Sequence, residues 1–251
     1  NRDGVQAARI EMSKFQRTMV NYYLGQLGVY QAEFAFPFIW HEENYASANV
    51  ELAEMGVMGD LILEGWCRAV VGDVQKSLQN TKVKHLNVSI STSDQMIEGK
   101  FRGKVDHQGV IDMMVDAVHA ALEGGALTVG ANAEDSSRSD MDYLVRFARA
   151  AKDAGACRVR YCDTLGLESP DSIYQRVYTL ARETGVDIEL HCHNDLGMAV
   201  ANSVAAAKAA VNAGVDVYIN TTINGMGERA GNADLLSCIL AIKFGPVFHP
   251  V

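Results

Sequence analysis

Seven short runs rich in apolar and β-branched residues, at 31–36, 61–63, 85–91, 128–133, 159–162, 187–193 and 217–221, alternate with stretches of helical period. Such alternation builds a parallel sheet covered by helices. The helical stretches fall at about 14–27, 42–55, 71–80, 108–123, 141–154, 171–184, 196–213 and 233–244. Several end in glycine, among them Gly28, Gly56, Gly124, Gly155, Gly185 and Gly214, where a left-handed C-terminal residue is easiest. Ser169-Pro170 offers a cap followed by proline at the first helical position. Residues 1–3 read as the tail of a further strand whose beginning lies upstream. Eight strands close a barrel, so the predicted fold is α/β: one (β/α)8 TIM barrel over residues 1–251, its first strand truncated. A doubly wound open sheet, the competing fold, would not need eight units.

The 251 residues match the ~250 of one such barrel. Apolar residues make up 48% and charged residues 21%, with four prolines and no low-complexity tract, which suffices for a large core. A net charge of −9, without a basic cluster, argues against nucleic acid and anionic membrane as partners. Five cysteines, an odd count without CxxC spacing, argue against a disulfide framework or structural zinc site and fit a reducing cytoplasm. No run approaches the ~18 apolar residues of a membrane span, and no secretory signal is visible. The chain opens on Asn1-Arg2-Asp3-Gly4, inside a motif, so its true N-terminus is expected upstream.

Barrel chemistry gathers where strands end and loops begin. At those positions stand Arg2-Asp3, Glu33, Glu64, Ser91 to Asp94, Glu134-Asp135, Asp163-Thr164, His191 to Asp195 and Asn220 to Asn224. The opposite ends are far more apolar. Strand alternation puts Glu189, His191 and His193 on one face and turns Leu190 and Cys192 toward the helices. Two inward histidines one strand step apart can share a cation. Taken alone, each run has a plainer reading: hydrogen-bonded strand histidines, an Asp-Gly turn at Asp3, a helix cap at 134–138, a turn at 163–166. The run Asn224-Gly225-Met226-Gly227-Glu228-Arg229-Ala230-Gly231-Asn232 is harder to dismiss, because its glycines allow close backbone approach beside polar side chains.

Together the runs resemble the metal-dependent acyl-CoA barrel family that contains 2-isopropylmalate synthase, homocitrate synthase, citramalate synthase and hydroxymethylglutaryl-CoA lyase. An Arg-Asp-Gly-x-Gln run at Arg2 to Gln6 and a His-x-His-Asn-Asp-x-Gly run at His191 to Gly197 carry the resemblance. Glu134 to Arg138, Asp163-Thr164 and Asn224 to Arg229 add to it, and the similarity spans nearly the whole chain. Asn1, Val5 and Arg17 depart from the family pattern, where Leu, Glu and Lys are usual. The resemblance implies a divalent cation (Mg, Mn, Zn or Co) held by Asp3, His191 and His193, with Asn224 a further ligand or a nearby contact. It implies Arg2 as alkoxide stabiliser, Glu134 in proton transfer and Thr164 on the 1-carboxylate of a 2-oxo acid, with Gln6, Ser91 and Arg138 among the substrate contacts. Acetyl-CoA would be the second substrate, a cytoplasmic homodimer the expected form, and a Claisen-type C-acetyltransferase of the homocitrate synthase type the expected activity. The general base is not identified; in such synthases a His or Tyr often comes from a segment after the barrel.

Alternatives separate on single residues. A lyase would want a cysteine in the glycine-rich loop, and 223–231 has none. A biotin-dependent carboxyltransferase would want a modified lysine where the chain reads Ala131-Asn132-Ala133-Glu134. A barrel that only binds a partner would not hold metal through Asp3 and the two histidines. Among synthases, isopropylmalate, citramalate, Re-type citrate and phosphonomethylmalate formers stay open. The cations Lys100, Arg102, Lys104 and, above all, Arg68 point to an acceptor with a second anionic group, because a branched-chain acid would want an apolar pocket.

Overall fold

The computed structural model describes residues 2–248. Seven parallel strands, β1 (Gln31–Ala35), β2 (Ile62–Arg68), β3 (His85–Ser91), β4 (Thr128–Glu134), β5 (Arg158–Asp163), β6 (Asp187–Cys192) and β7 (Val217–Asn220), pair strictly in chain order. Nine helices cover them: α1 (Lys14–Gln26), α2 (Trp40–Glu54), α3 (Val71–Thr81), α4 (Asp94–Phe101), α5 (His107–Glu123), α6 (Met141–Asp153), α7 (Pro170–Thr184), α8 (Ala199–Ala213) and α9 (Leu235–Phe244), counted among the described residues. The sheet curls until its edges approach, Tyr30 beside β1 and Tyr218 of β7 having ring centroids 5.8 Å apart. Between those edges lies a cavity of about 620 Å3, lined by Ala32 and Glu33 on one side and Tyr218 and Ile219 on the other. The expected eighth strand is represented by one ladder-like contact, Arg2 N–H to Glu33 C=O at 2.9 Å. Asn1 lies outside the described residues, and Asp3 leads into a 3-10 turn at Gly4–Gln6.

Caps set the helix starts as the sequence suggests. Ser169 caps α7 ahead of Pro170, and Ser13 forms a capping box with Gln16 on α1; each cap is worth ~1 kcal/mol. Two further elements differ from expectation. β2 runs on to Arg68 through Glu64 because that carboxylate is consumed inside the barrel, and Gly65 permits close packing, since a Cβ there would sit 2.6 Å from the Pro37 ring. α4 was not foreseen: it is short, contains Gly99, and is carried by its cap, Ser93 accepting from the Met96 N–H at 3.3 Å.

Strand alternation holds where it matters most. Ile188, Leu190 and Cys192 are buried against the helices, Cys192 hydrogen-bonding Ser203 of α8, while Glu189, His191 and His193 point inward. The interior at mid-height is charged where most barrels are filled with branched apolar side chains. Arg160, fully buried, reaches Glu33 at 2.6 Å, Glu189 at 2.7 Å and Glu64 at 3.3 Å. Arg158 pairs with Glu64 and with Glu189, the latter at 2.8 Å. These bonds tie β1, β2, β5 and β6 together, and losing one partner would leave a buried charge uncompensated.

Candidate metal centre

β6 delivers His191 and presents His193 just past its end, the two rings 4.9 Å apart and nearly perpendicular. Asp3 reaches the same place from the turn that the Arg2–Glu33 contact fixes. Donor atoms of Asp3, His191 and His193 lie within 4.8 Å of one another, and all three residues are buried. The next interior layer sets the tautomer of His191. Glu189 accepts from Asn220 Nδ2 at 3.2 Å, which orients that amide so that its Oδ1 faces His191 Nδ1 at 3.2 Å. An amide oxygen only accepts, so Nδ1 carries the proton and Nε2 turns its lone pair toward Asp3, 3.9 Å away.

The electrostatics favour a ligand set over a salt bridge. Burial, then the neighbouring His191, presses His193 down to about 4, and burial likewise lowers His191, so both imidazoles are neutral at ordinary pH. Burial opposes ionisation of Asp3, yet its carboxyl is held below the usual carboxylate range by His191, Arg2, His193 and the Asn232 amide. With the imidazoles neutral, Arg2 and Asn232 are the partners that sustain it. A cation fits these donors: His193 Nδ1 and Asn232 Oδ1 are buried without any hydrogen-bond partner, an expensive arrangement for polar atoms unless something else binds them.

Asn232 comes from the glycine-rich loop and donates Nδ2 to Asp3, while its backbone bridges to His193. Asn224, the amide expected from the sequence, is exposed in a left-handed turn (φ 57°), so the loop brings its other asparagine to the cluster. Spacing alone does not choose between the two; the chain reversal does. Gly231 makes that reversal possible, since at φ +92° a Cβ would stand 2.0 Å from the Gly225 oxygen. Arg229 pins the loop by bonding Asp195 at 2.9 and 3.0 Å and the Thr164 carbonyl at 2.5 Å.

Arg2 is held rigidly beside the cluster. Its Nε donates to Glu33 at 2.6 Å, its Nη1 donates to Asp3 at 2.9 Å and to Gln6 at 2.8 Å, and Trp66 and Phe36 flank the guanidinium at 5.4 and 5.6 Å. Glu33 hands this order back to the interior network through Arg160. Within that network burial, with the neighbouring Glu189 and Glu33 carboxylates, drives Glu64 up to about 7 despite Arg158 and Arg160, while Glu189 is held at about 2 against its burial by Arg160 and Arg158.

Across the mouth, Glu134 ends β4 and accepts on Oε2 from Ser91 at 2.5 Å and from Lys100 at 2.6 Å. Thr164 accepts the Asp135 N–H at 2.9 Å, which leaves its hydroxyl proton available. Arg138 is engaged by Asp135 at 2.5 to 3.1 Å, and Arg68 by Asp73 at 2.6 and 3.1 Å with its side chain 61% exposed. The structure therefore gathers Arg2, Asp3, Gln6, His191 and His193 into one cluster, whereas the guanidinium groups of Arg68 and Arg138 already have acidic partners. Asn232, Asn220 and Lys100 lie in stretches that the sequence already marks, but their contacts to Asp3, His191 and Glu134 appear only in the structure.

The curled parallel sheet, with convergent histidines, carboxylate and arginine at one mouth, defines an α/β barrel with a candidate metal centre at its catalytic face. The chain belongs to the HMGL-like family, whose model matches residues 1–251. It is 54% identical over 243 residues to a citrate (Re)-synthase of Dehalococcoides mccartyi, covering 96% of this chain and 59% of that protein. It is 40% identical to 2-isopropylmalate synthase 2 of Caldanaerobacter subterraneus, covering 97% of this chain and 60% of that one. The chain thus spans about 60% of the length of these relatives. An HMG-CoA lyase structure from Bacillus subtilis superposes with a TM-score of 0.77 at 16% identity, covering 96% of this chain and 83% of that one, which supports the barrel fold. No helix among the described residues is long and apolar enough to cross a membrane.

Proposed function

We propose that this chain is the catalytic barrel of a divalent-metal-dependent acyltransferase that condenses acetyl-CoA with oxaloacetate and water to give citrate and free CoA. The observation that carries the reading is the buried Asp3, His191 and His193 cluster, with its unpartnered His193 and Asn232 atoms, set against an immobilised Arg2. Asp3, His191, His193 and Asn232 would hold the ion. A bound Mg2+, Mn2+, Zn2+ or Co2+ would supply Lewis-acid polarisation of the C2 carbonyl.

The protein's own groups do the rest. Arg2 donates to the C2 oxygen as negative charge develops there, and its fixed position means that no reorganisation is needed at that moment. The Thr164 hydroxyl binds the 1-carboxylate, with Gln6 and Ser91 beside the acceptor. Glu134 moves a proton through its free Oε1. The acetyl methyl carbon loses a proton and bonds to C2; water then cleaves the thioester, and the CoA thiol leaves. Arg68 and Arg138, tied to Asp73 and Asp135, are assigned no acceptor contact in this reading.

Identity of 54% to a citrate (Re)-synthase, against 40% to a 2-isopropylmalate synthase, supports oxaloacetate as acceptor over the homologous acids. The five cysteines are free thiols, which supports a reducing, cytoplasmic setting; a homodimer is proposed on the family resemblance. The test is free-CoA release with oxaloacetate, 2-oxoglutarate, phosphonopyruvate, pyruvate and 2-oxoisovalerate at equal concentration. Oxaloacetate is expected to be fastest, and a preference for 2-oxoisovalerate would overturn the reading.

A further inference from the structure

We propose that Lys100 is a positioning residue that locks the carboxylate of Glu134 with one oxygen bound and the other free for proton transfer. The inference rests on the acyltransferase reading above and deepens it. Lys100 sits in the last turn of α4 with its side chain 47% exposed, a setting in which a lysine ordinarily keeps its ammonium in water. Here Nζ instead donates to Glu134 Oε2 at 2.6 Å and to Ser91 Oγ at 2.8 Å, while Ser91 donates to the same Oε2 at 2.5 Å. No hydrogen bond among the described residues reaches Oε1. The two oxygens of one carboxylate are thereby made different: Oε2 is an anchor and Oε1 is a free acceptor.

The rest of α4 serves the same end. Its cap, Ser93, donates to Asp135, the residue after Glu134, so the helix is tied to the end of β4 at both its first and last turns. Thr92 holds the Glu134 carbonyl through its N–H and its hydroxyl, both at 2.9 Å. Backbone and carboxylate of Glu134 are thus clamped by 91–93 and Lys100 together. Without Lys100, Oε2 keeps only the Ser91 hydroxyl, and the carboxylate can turn so that either oxygen faces the reacting proton. In this reading Lys100 touches neither substrate, so its loss acts on turnover and leaves substrate binding alone.

The experiment measures kcat and KM for oxaloacetate and acetyl-CoA in wild type, Lys100→Met, Lys100→Arg, Glu134→Gln and the Lys100→Met/Glu134→Gln double variant, beside thermal melts. Lys100→Met should lower kcat by ~10- to 100-fold, as a displaced reacting group does, with both KM values within about twofold. Lys100→Arg should recover most of the loss. In the Glu134→Gln background the same Lys100→Met change should alter kcat less than about twofold, since groups that act as one unit are not additive. A wild type that releases CoA with no oxo acid would overturn the acyltransferase reading itself. An active wild type whose kcat is unchanged by Lys100→Met, a rise in KM at constant kcat, or a full additional loss in the Glu134→Gln background would each overturn the Lys100 assignment alone.

Discussion

Replacing His191 by alanine removes one of the three side chains whose donor atoms lie within 4.8 Å of one another, and its effect on metal-linked stability can be worked out. A ligand that binds only the folded state at 100 times its Kd stabilises by about 2.7 kcal/mol. In a domain of this size each kcal/mol moves Tm by roughly 2–4 °C, so saturating Mn2+ should raise the wild-type Tm by about 5–11 °C over EDTA. Losing a partner that merely orients a ligand costs ~10- to 100-fold in metal affinity, and losing a ligand costs at least the upper figure. At the same Mn2+ concentration the His191→Ala chain would then be at most half-saturated, worth about 0.4 kcal/mol and no more than about 2 °C. The control is Cys192→Ala. Its side chain points away to Ser203 of α8, so it should lower the absolute Tm and keep the full metal-dependent rise. Thermal melts with and without Mn2+, beside metal analysis of the dialysed protein, read both quantities. A His191→Ala chain with wild-type metal content and the full Tm rise would refute the assignment, whatever its absolute stability.

Three further expectations rest on separate parts of the molecule. Glu134→Gln should lower kcat by ~10²- to 10⁴-fold while Tm and bound metal stay at wild-type values; a shifted melt with unchanged kcat would mean that Glu134 is only structural. Glu64, raised to about 7, holds its proton more tightly folded than unfolded. Its contribution to stability is therefore complete below about 4.5 and lost as pH climbs through about 7, so the wild-type Tm in EDTA should fall relative to Glu64→Gln between pH 5 and 8. Glu189, at about 2, titrates outside that window, and a constant Tm difference from pH 5 to 8 would contradict the account. Gly231→Ala forces a side chain into a φ of +92° and against the Gly225 oxygen, so it should cost ~1–3 kcal/mol and weaken Mn2+ binding at least tenfold by displacing Asn232; wild-type Mn2+ affinity in a folded variant would show that Asn232 is not needed.

Legible in the sequence were the order of the seven strands and of eight of the nine helices among the described residues, the capping of α7 by Ser169-Pro170, and the inward placement of His191 and His193 with Cys192 turned out. Each is a property of local periodicity, which acts over a few residues and is visible in one dimension. The positions of Arg2, Asp3, Glu134 and Thr164 at one mouth were legible as well, because a barrel converts strand ends into a shared face, whereas Gln6 and the chemical roles rest on the family resemblance. Which polar groups are already spoken for emerged only once the sheet had closed. Arg68 reads as a cation at the catalytic face, yet Asp73, five residues on, takes the Nε–Nη2 edge of its guanidinium. Lys100 reads as one of the cations awaiting an anionic acceptor, yet Ser91 and Glu134, 9 and 34 residues away in the chain, fix it. Asn232 and Asn224 are equivalent as letters in one glycine-rich run, and the reversal at Gly231 alone brings the former against Asp3, 229 residues away. The buried Arg160, shared by Glu33, Glu64 and Glu189 from three strands, left no local sign for the same reason. Hydrogen bonds and ion pairs saturate, and whether a side chain has a partner to spare depends on neighbours that only the closed sheet supplies.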